Sequence, residues 1–138
     1  MNINQYLEKH KNITVTKSGY EYRNNAPHVL CADGFKMSVQ VSNGHYCSPR
    51  INDAGYYDAV EVGYPNEREE LLMEYAEEEL HPTETVYGHV PARVVDAVIK
   101  KHGGFVSDAD MKTCKFCNTE NIKTVSHCVS CGAVGFIY

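Results

Sequence analysis

Apolar and polar residues alternate along several short stretches of the chain, which is the pattern of a strand with one buried and one solvated face. Residues 35–41 show it most clearly, because their odd-numbered members are apolar and their even-numbered members are polar. A preceding apolar run, residues 29–32, is separated from them by Asp33-Gly34, a favoured two-residue turn. The pattern predicts a β-hairpin whose even-numbered positions in the second strand face water.

Five further strands are predicted from β-branched and aromatic residues bounded by turn formers. The first two flank residues 17–19 and form a second hairpin, in which a glycine supplies positive φ. The third follows the turn Asn43-Gly44, and the fourth is closed by Pro65. The five segments are residues 13–16, 20–22, 45–47, 56–64 and 85–90.

Apolar residues spaced three and four apart predict three helices. The first has Asn2 as its N-cap, the second covers residues 66–80 with Asn66 as its N-cap, and the third begins at Pro91 and ends before Gly103. Strands in a run, with helices at the ends, indicate an α+β fold with a mainly antiparallel sheet and two to three helices. The buried stripe of the second helix is expected to contain Leu71, Leu72, Tyr75, Ala76 and Leu80.

The chain divides near Gly103-Gly104, where a helical pattern ends and a polar stretch begins. Residues 1–104 are expected to form the α+β domain, and residues 105–138 a linker and a small C-terminal module. The formal net charge of −5 belongs to the larger part, because 16 of the 18 acidic residues lie before position 109. This acidity argues against a general binder of polyanions.

Four of the six cysteines lie in this C-terminal module, in the pattern Cys-x2-Cys-x10-Cys-x2-Cys. A gap of two residues lets both thiolates of a turn bind one tetrahedral ion. Neither a signal peptide nor a membrane-spanning run is visible, so we expect a reducing cytoplasm, where paired cysteines favour metal over disulfides. Four thiolates saturate zinc, which predicts one structural Zn2+ with the ligands Cys114, Cys117, Cys128 and Cys131.

The same segment resembles the zinc-ribbon family, in which two Cys-x2-Cys pairs lie on short hairpins. The resemblance covers residues 114–138, and all four ligand positions match. Zinc ribbons occur in transcription, translation and repair proteins, in enzymes and in interaction modules, so the family does not select a function. The few basic residues of the module, with Phe116, either contact nucleic acid or are simply solvated; they are Lys112, Lys115 and Lys123.

Two segments of the larger domain are candidate partner-binding surfaces. Residues 44–50, called the Tyr46 loop below, contain His45, Tyr46 and Arg50, which serve either binding or turn formation. Residues 67–79, called the acidic segment, contain seven Glu and one Arg. Such a run is either a solvated face or a surface that attracts a basic groove of a partner. On the predicted helix its outer face contains Glu67, Glu70, Glu74, Glu77 and Glu78.

The remaining cysteines, Cys31 and Cys47, are expected to be buried free thiols. Two alternatives are a second metal site with His28 or His45, and a nucleophilic Cys47 assisted by His45. The spacing matches no ligand pattern, and nothing in the sequence supplies an oxyanion hole or an orienting carboxylate. No paired-carboxylate motif, phosphate loop or Ser-His-Asp order is present, which favours a protein that is not an enzyme.

The larger domain resembles small, uncharacterised proteins of bacteriophages and prophages. The similar stretches are residues 31–35, 37–40, 44–50 and 60–65. The resemblance implies an accessory protein of the bacterial host cytoplasm that binds and inhibits a host protein complex, as anti-CRISPR proteins inhibit bacterial defence. The alternative is a nucleic-acid-binding or transcription accessory protein that acts through the zinc ribbon. No membrane partner is expected.

Removal of the metal, by a chelator or by Cys117→Ser, should unfold residues 111–138 and leave residues 1–104 intact. The reason is that so short a module cannot build a core without its ion. Metal analysis should find one zinc per chain, and hydrogen exchange should localise the loss of structure. A second zinc would revive Cys31 and Cys47 as ligands, and a uniform loss of structure would contradict the division into two modules.

Overall fold

The structure, a computed structural model, describes residues 1–106, 111–113 and 120–122, the last two ranges by their backbone only. Two helices, a 3-10 helix and eight strands are present in these ranges. In chain order they are α1 (Ile3–Lys9), β1 (Ile13–Val15), β2 (Glu21–Arg23), β3 (Val29–Leu30), β4 (Lys36–Gln40), β5 (Ala59–Gly63), the 3-10 helix (Glu70–Tyr75), β6 (Val86–Pro91), α2 (Ala92–Lys101), β7 (Met111–Thr113) and β8 (Glu120–Ile122).

All described strand pairs are antiparallel. Strands β3, β4, β5 and β6 form a four-stranded sheet in that order, whereas β1 pairs only with β2, and β7 only with β8. Helix α2 packs against β6, α1 and the 3-10 helix. Antiparallel sheets with a few helices confirm the predicted α+β class for residues 1–106.

Helix α1 starts where the sequence predicts it. The Asn2 side chain accepts the Gln5 N–H, and the Gln5 side chain accepts the Asn2 N–H, so the two residues form a capping box. Ile3, Tyr6 and Leu7 are buried. The Ile3 N–H also donates to Asp96 of α2 at 2.8 Å, which connects the two helices.

The two hairpins are confirmed, and Gly19 and Gly34 have φ of +87° and +96° in their turns. In the second hairpin the odd-numbered residues from 35 to 41 are buried, as predicted. The expected solvation of the opposite face is wrong at its end, because Gln40 and Ser42 are buried as well. The Gln40 amide accepts the Ala26 N–H and donates to the Ala26 carbonyl, so it satisfies backbone groups that no strand pairs.

The predicted strand at residues 45–47 is absent. These residues belong to turns, in which the Cys47 N–H donates to the His45 carbonyl, and the Ser48–Pro49 peptide bond is cis. Only Ser48 forms a β-bridge, with Ala59 at the start of β5. Local turn hydrogen bonds therefore replace the strand pairing that the sequence pattern predicts.

The predicted helix at 66–80 is wrong in length and type, since only Glu70–Tyr75 is helical and its geometry is 3-10. Beyond it the chain is extended: Ala76 forms a β-bridge with Tyr87, and the Glu77 N–H donates to the Val86 carbonyl. Pairing with β6 therefore competes with continuation of the helix and replaces it.

The predicted buried stripe and N-cap of this helix change accordingly. Leu72 is fully buried, whereas Leu71 is 43% and Leu80 is 83% exposed. Tyr75 and Ala76 are partly buried against the core. Asn66 does not cap a helix; its side chain accepts the Lys36 N–H and donates to the Gly34 carbonyl. It therefore fixes the turn between β3 and β4.

Helix α2 ends as predicted, with Gly103 and Gly104 at φ of +92° and +87°. The backbone hydrogen bonding of the larger domain, called the body below, continues beyond these glycines. The Ala32 N–H donates to the Gly104 carbonyl, and the Val106 N–H donates to the Leu30 carbonyl. Phe105 stacks on Tyr6 with ring centroids 5.2 Å apart. No helix among the described residues is long and apolar enough to cross a bilayer.

Leu72 lies in the acidic segment and Leu80 directly after it. Their different exposures distinguish the observed conformation from one long helix. Leu72→Ala should lower the free energy of unfolding by about 2–5 kcal/mol, because it empties a fully buried site. Leu80→Ala, the control, should change it by less than about 0.5 kcal/mol, because that side chain is exposed. Urea denaturation measures both, and equal losses would contradict the observed end of the 3-10 helix.

Candidate functional site

The Tyr46 loop presents an exposed aromatic ring flanked by a cation. The Tyr46 side chain is 43% exposed, and the Arg50 guanidinium lies over its ring at 5.3 Å from the centroid. The His89 ring lies 6.0 Å from it, centroid to centroid, at 45°. An aromatic ring with a cation on its face offers a partner apolar area together with positive charge.

Strands β5 and β6 position this ring. The Tyr46 N–H donates to the Glu61 carboxylate at 3.0 Å, and its carbonyl accepts the His89 N–H at 3.0 Å. The β5–β6 register shifts between Val60 and Val62, and His89 has a φ of +49°. A Cβ at Gly88 would lie 3.2 Å from the Tyr46 Cβ, so the absence of a side chain there permits the close approach.

The structure places His45 differently from Tyr46 and Arg50. Its Nδ1 lies 2.5 Å from the Ser42 hydroxyl, and the ring is partly buried. Ser42 also accepts the Gly44 N–H, so its own hydrogen is available for the His45 ring. His45 therefore stabilises the turn. Only the exposed part of its ring can contribute to the predicted partner binding.

All five predicted partner-binding glutamates are exposed, but they do not share a helical face. Glu67 precedes the 3-10 helix, Glu70 and Glu74 lie within it, and Glu77 and Glu78 lie in the extended stretch that follows. Arg68 contacts Glu70 at 2.5 Å and lowers the pKa of that carboxyl. The segment thus presents its charges along a bent backbone.

The two candidate surfaces meet on β6. Glu77 of the acidic segment hydrogen-bonds Val86, and Tyr46 hydrogen-bonds His89, with N···O distances of 3.0 Å in both pairs. Residues three apart on a strand are separated by about 10 Å. The fold therefore brings Tyr46 and Glu77, which are 31 residues apart in sequence, to neighbouring positions on one strand.

A group of charged side chains around the buried Glu69 and His102 was not predicted. His102 Nδ1 lies 2.6 Å from Asp33 Oδ2, and His102 Nε2 lies 2.8 Å from Glu69 Oε1. Lys101 contacts the same Glu69 oxygen at 2.8 Å, and the His102 ring stacks on Phe35 at 4.1 Å. We call Asp33, Glu69, Lys101 and His102 the ionic cluster.

Opposite charges set the ionisation of this cluster. Burial alone would lower the pKa of His102, but the hydrogen bonds to Asp33 and Glu69 outweigh it and raise that pKa. Burial alone would raise the pKa of Glu69, but Lys101, the Leu71 N–H and His102 outweigh it and lower that pKa. In sequence, Glu69 is one of seven glutamates in a run, and no local signal identifies it as the buried one.

Cys31 and Cys47 are buried free thiols, as predicted. Burial, together with the charge of Asp33, raises the pKa of Cys31 to about 12. Burial also raises the pKa of Cys47, whose thiol donates to the carbonyls of Ser42 and Pro49. Within residues 1–106, no three His, Cys, Asp or Glu side chains are grouped as metal ligands, so the second metal site finds no support there.

The four predicted zinc ligands lie outside the described residues; they are Cys114, Cys117, Cys128 and Cys131. What the structure describes nearby is the antiparallel pairing of β7 with β8, in which Thr113 opposes Glu120. These two short strands flank the first Cys-x2-Cys pair in the sequence.

Comparison with protein-family models, curated proteins and solved structures finds no match for this chain.

The two body thiols should be unreactive in the folded protein. We expect Cys31 and Cys47 to resist iodoacetamide at pH 8 and to react once the chain is denatured, because both are buried and protonated. Peptide mapping separates them from the four C-terminal cysteines, and glutathione supplies the reference rate. Labelling of Cys47 as fast as glutathione would instead support the hypothesis that Cys47 is a nucleophile.

Proposed function

We propose that this protein is a non-enzymatic binding protein that docks on a basic face of a host protein complex and inhibits it. The observation that carries the proposal is the juxtaposition of the acidic segment and the Tyr46 loop on β6. The proposed contact residues are the five exposed glutamates with the Tyr46 loop: Glu67, Glu70, Glu74, Glu77, Glu78, His45, Tyr46 and Arg50.

The two parts of this surface have complementary physical roles. Clustered exposed carboxylates create a negative field that accelerates association with a basic partner and disfavours acidic ones. Charges at a solvated rim add little affinity, which comes mainly from buried aromatic and Arg side chains. Tyr46, held by Glu61 and His89 and covered in part by Arg50, is an exposed aromatic side chain that a partner would bury.

A binding role agrees with the state of the reactive groups in the body. The Cys47 thiol donates to two carbonyls and has a raised pKa, so it is protonated and weakly nucleophilic at neutral pH. The nearest histidine in sequence, His45, is hydrogen-bonded to Ser42. The phage setting, the host cytoplasm and the comparison with anti-CRISPR proteins rest on the sequence resemblance alone.

We further propose that residues 114–138 fold around one structural zinc ion. Four thiolates at the spacing of a zinc ribbon support this, because they form a complete tetrahedral ligand set. The pairing of β7 with β8 agrees with it, since zinc-ribbon cysteine pairs are flanked by short paired strands. The ion would hold the module together and leave no open position for a substrate or water.

Charge reversal in the acidic segment tests the proposed surface. The zinc-loaded full chain is immobilised and exposed to nuclease-treated bacterial lysate, the captured complex is identified and purified, and its Kd is measured. Glu77→Lys/Glu78→Lys should weaken binding at least about tenfold, because two carboxylates at the surface become cations. Wild-type binding should also weaken as salt concentration rises.

The matched control is Glu8→Lys/Asp53→Lys, which changes the net charge equally, from −5 to −1, around Lys11. This control should bind like the wild type. Equal weakening by both variants would show a non-specific effect of net charge, and failure to capture any stable protein would contradict the proposal. Capture from untreated lysate that is lost after nuclease treatment would favour the zinc-ribbon alternative.

A further inference from the structure

We propose that a protonated His102 holds the acidic segment in its observed conformation, so that the ionic cluster is a pH-responsive switch for this surface. The switch itself is a property of the free protein. Its consequence for binding rests on the proposed function, because it controls the segment that we assign to the partner.

The geometry of His102 requires a donor at both ring nitrogens. Nδ1 faces Asp33 at 2.6 Å and Nε2 faces Glu69 at 2.8 Å, and an ionised carboxylate only accepts hydrogen bonds. A neutral imidazole has one N–H, so it can satisfy one of the two carboxylates but not both. Only the imidazolium form matches both contacts at these distances.

Glu69 transmits this state to the acidic segment. Its side chain is 1% exposed, and its second oxygen accepts the Leu71 N–H at 2.8 Å, which caps the 3-10 helix. Its carbonyl accepts the Leu72 N–H. The carboxylate that contacts His102 therefore also fixes the first turn of the 3-10 helix, which contains Glu70 and Glu74 and leads into Glu77 and Glu78.

The charged groups around His102 come from three elements. Asp33 lies in the turn between β3 and β4, Glu69 precedes the 3-10 helix, and Lys101 belongs to α2. Exposed Glu70 also feels the Lys101 charge. Phe35, on the face of the imidazole, adds no titrating group. Lys101 retains its contact with Glu69 when His102 is neutral, so loss of the proton weakens the cluster but does not leave Glu69 unpaired.

The direction of the pH response follows from linkage. The carboxylates raise the pKa of His102 in the folded chain. Its contribution to the stability of the folded chain is therefore complete below the ordinary histidine pKa of about 6.5. That contribution is lost as pH rises through the folded pKa. Glu69 sets the limit at acidic pH. Its pKa is lowered, so its contribution to the stability of the folded chain is lost only in acid. The acidic segment is thus held most firmly between these two transitions.

Hydrogen exchange and NMR on the free full chain test this switch without any partner. The His102 ring resonances should titrate with a midpoint above the ordinary histidine pKa of about 6.5. After correction for intrinsic rates, amide protection of residues 70–78 should fall about tenfold as His102 loses its proton, while that of β5 stays constant. A His102 midpoint at or below about 6.5, or a flat protection profile, would overturn the inference.

Two isosteric substitutions separate the switch from net charge. Asp33→Asn keeps an oxygen for the Phe35 N–H but removes the charge facing His102, so the NMR midpoint and the exchange transition should move together to lower pH. Glu70→Gln removes the same charge beside the cluster without contacting His102 and should leave both unchanged. Equal movement in the two variants would assign the transition to net charge and overturn the switch.

The two proposals fail independently. If exchange responds as expected but charge reversal at Glu77 and Glu78 leaves partner binding intact, the switch stands and the proposed surface is wrong. If charge reversal abolishes binding but the exchange profile is flat, the surface stands and the switch is wrong.

Discussion

The buried carboxylate of Glu69 is the constraint on which the arrangement of the body depends. A charge removed from water is tolerated only when partners replace its hydration, and removal of one partner from a buried pair costs about 3–5 kcal/mol. Glu69 meets this requirement with Lys101 at the end of α2, with His102 at the C-cap of that helix and with the Leu71 N–H. The end of α2, the turn at Asp33 and the start of the 3-10 helix are therefore held together.

This constraint also determines how the acidic segment reaches the surface. With Glu69 directed inward, the chain makes one short 3-10 helix, buries Leu72 and then runs beside β6. The neighbouring glutamates are left in water on a bent path instead of on one helical face. Strand β6 consequently carries the acidic segment near Val86 and the Tyr46 loop near His89, which creates the surface that we assign to a partner.

The body and the C-terminal module differ in what holds them together. The body has an apolar core that includes α1, the four-stranded sheet and α2, and its hydrogen bonding continues to Val106. In our proposal the C-terminal module relies on a metal ion, because it is too short to bury enough apolar surface. In the same proposal the partner-binding surface belongs to the body, so its stability would not depend on the ion.

The sequence by itself determined the features that depend on neighbouring residues. The N-cap at Asn2, the hairpin turns at Gly19 and Gly34, and the end of α2 at Gly103 are local events, and all were predicted. The burial of Glu69 and Gln40, and the absence of the strand expected at 45–47, follow only from the tertiary structure. Glu69 and Gln40 depend on partners distant in sequence, His102 and Ala26, and residues 45–47 are held by local turns together with contacts of Tyr46 to Glu61 and His89. No local pattern records which distant group will satisfy a polar side chain.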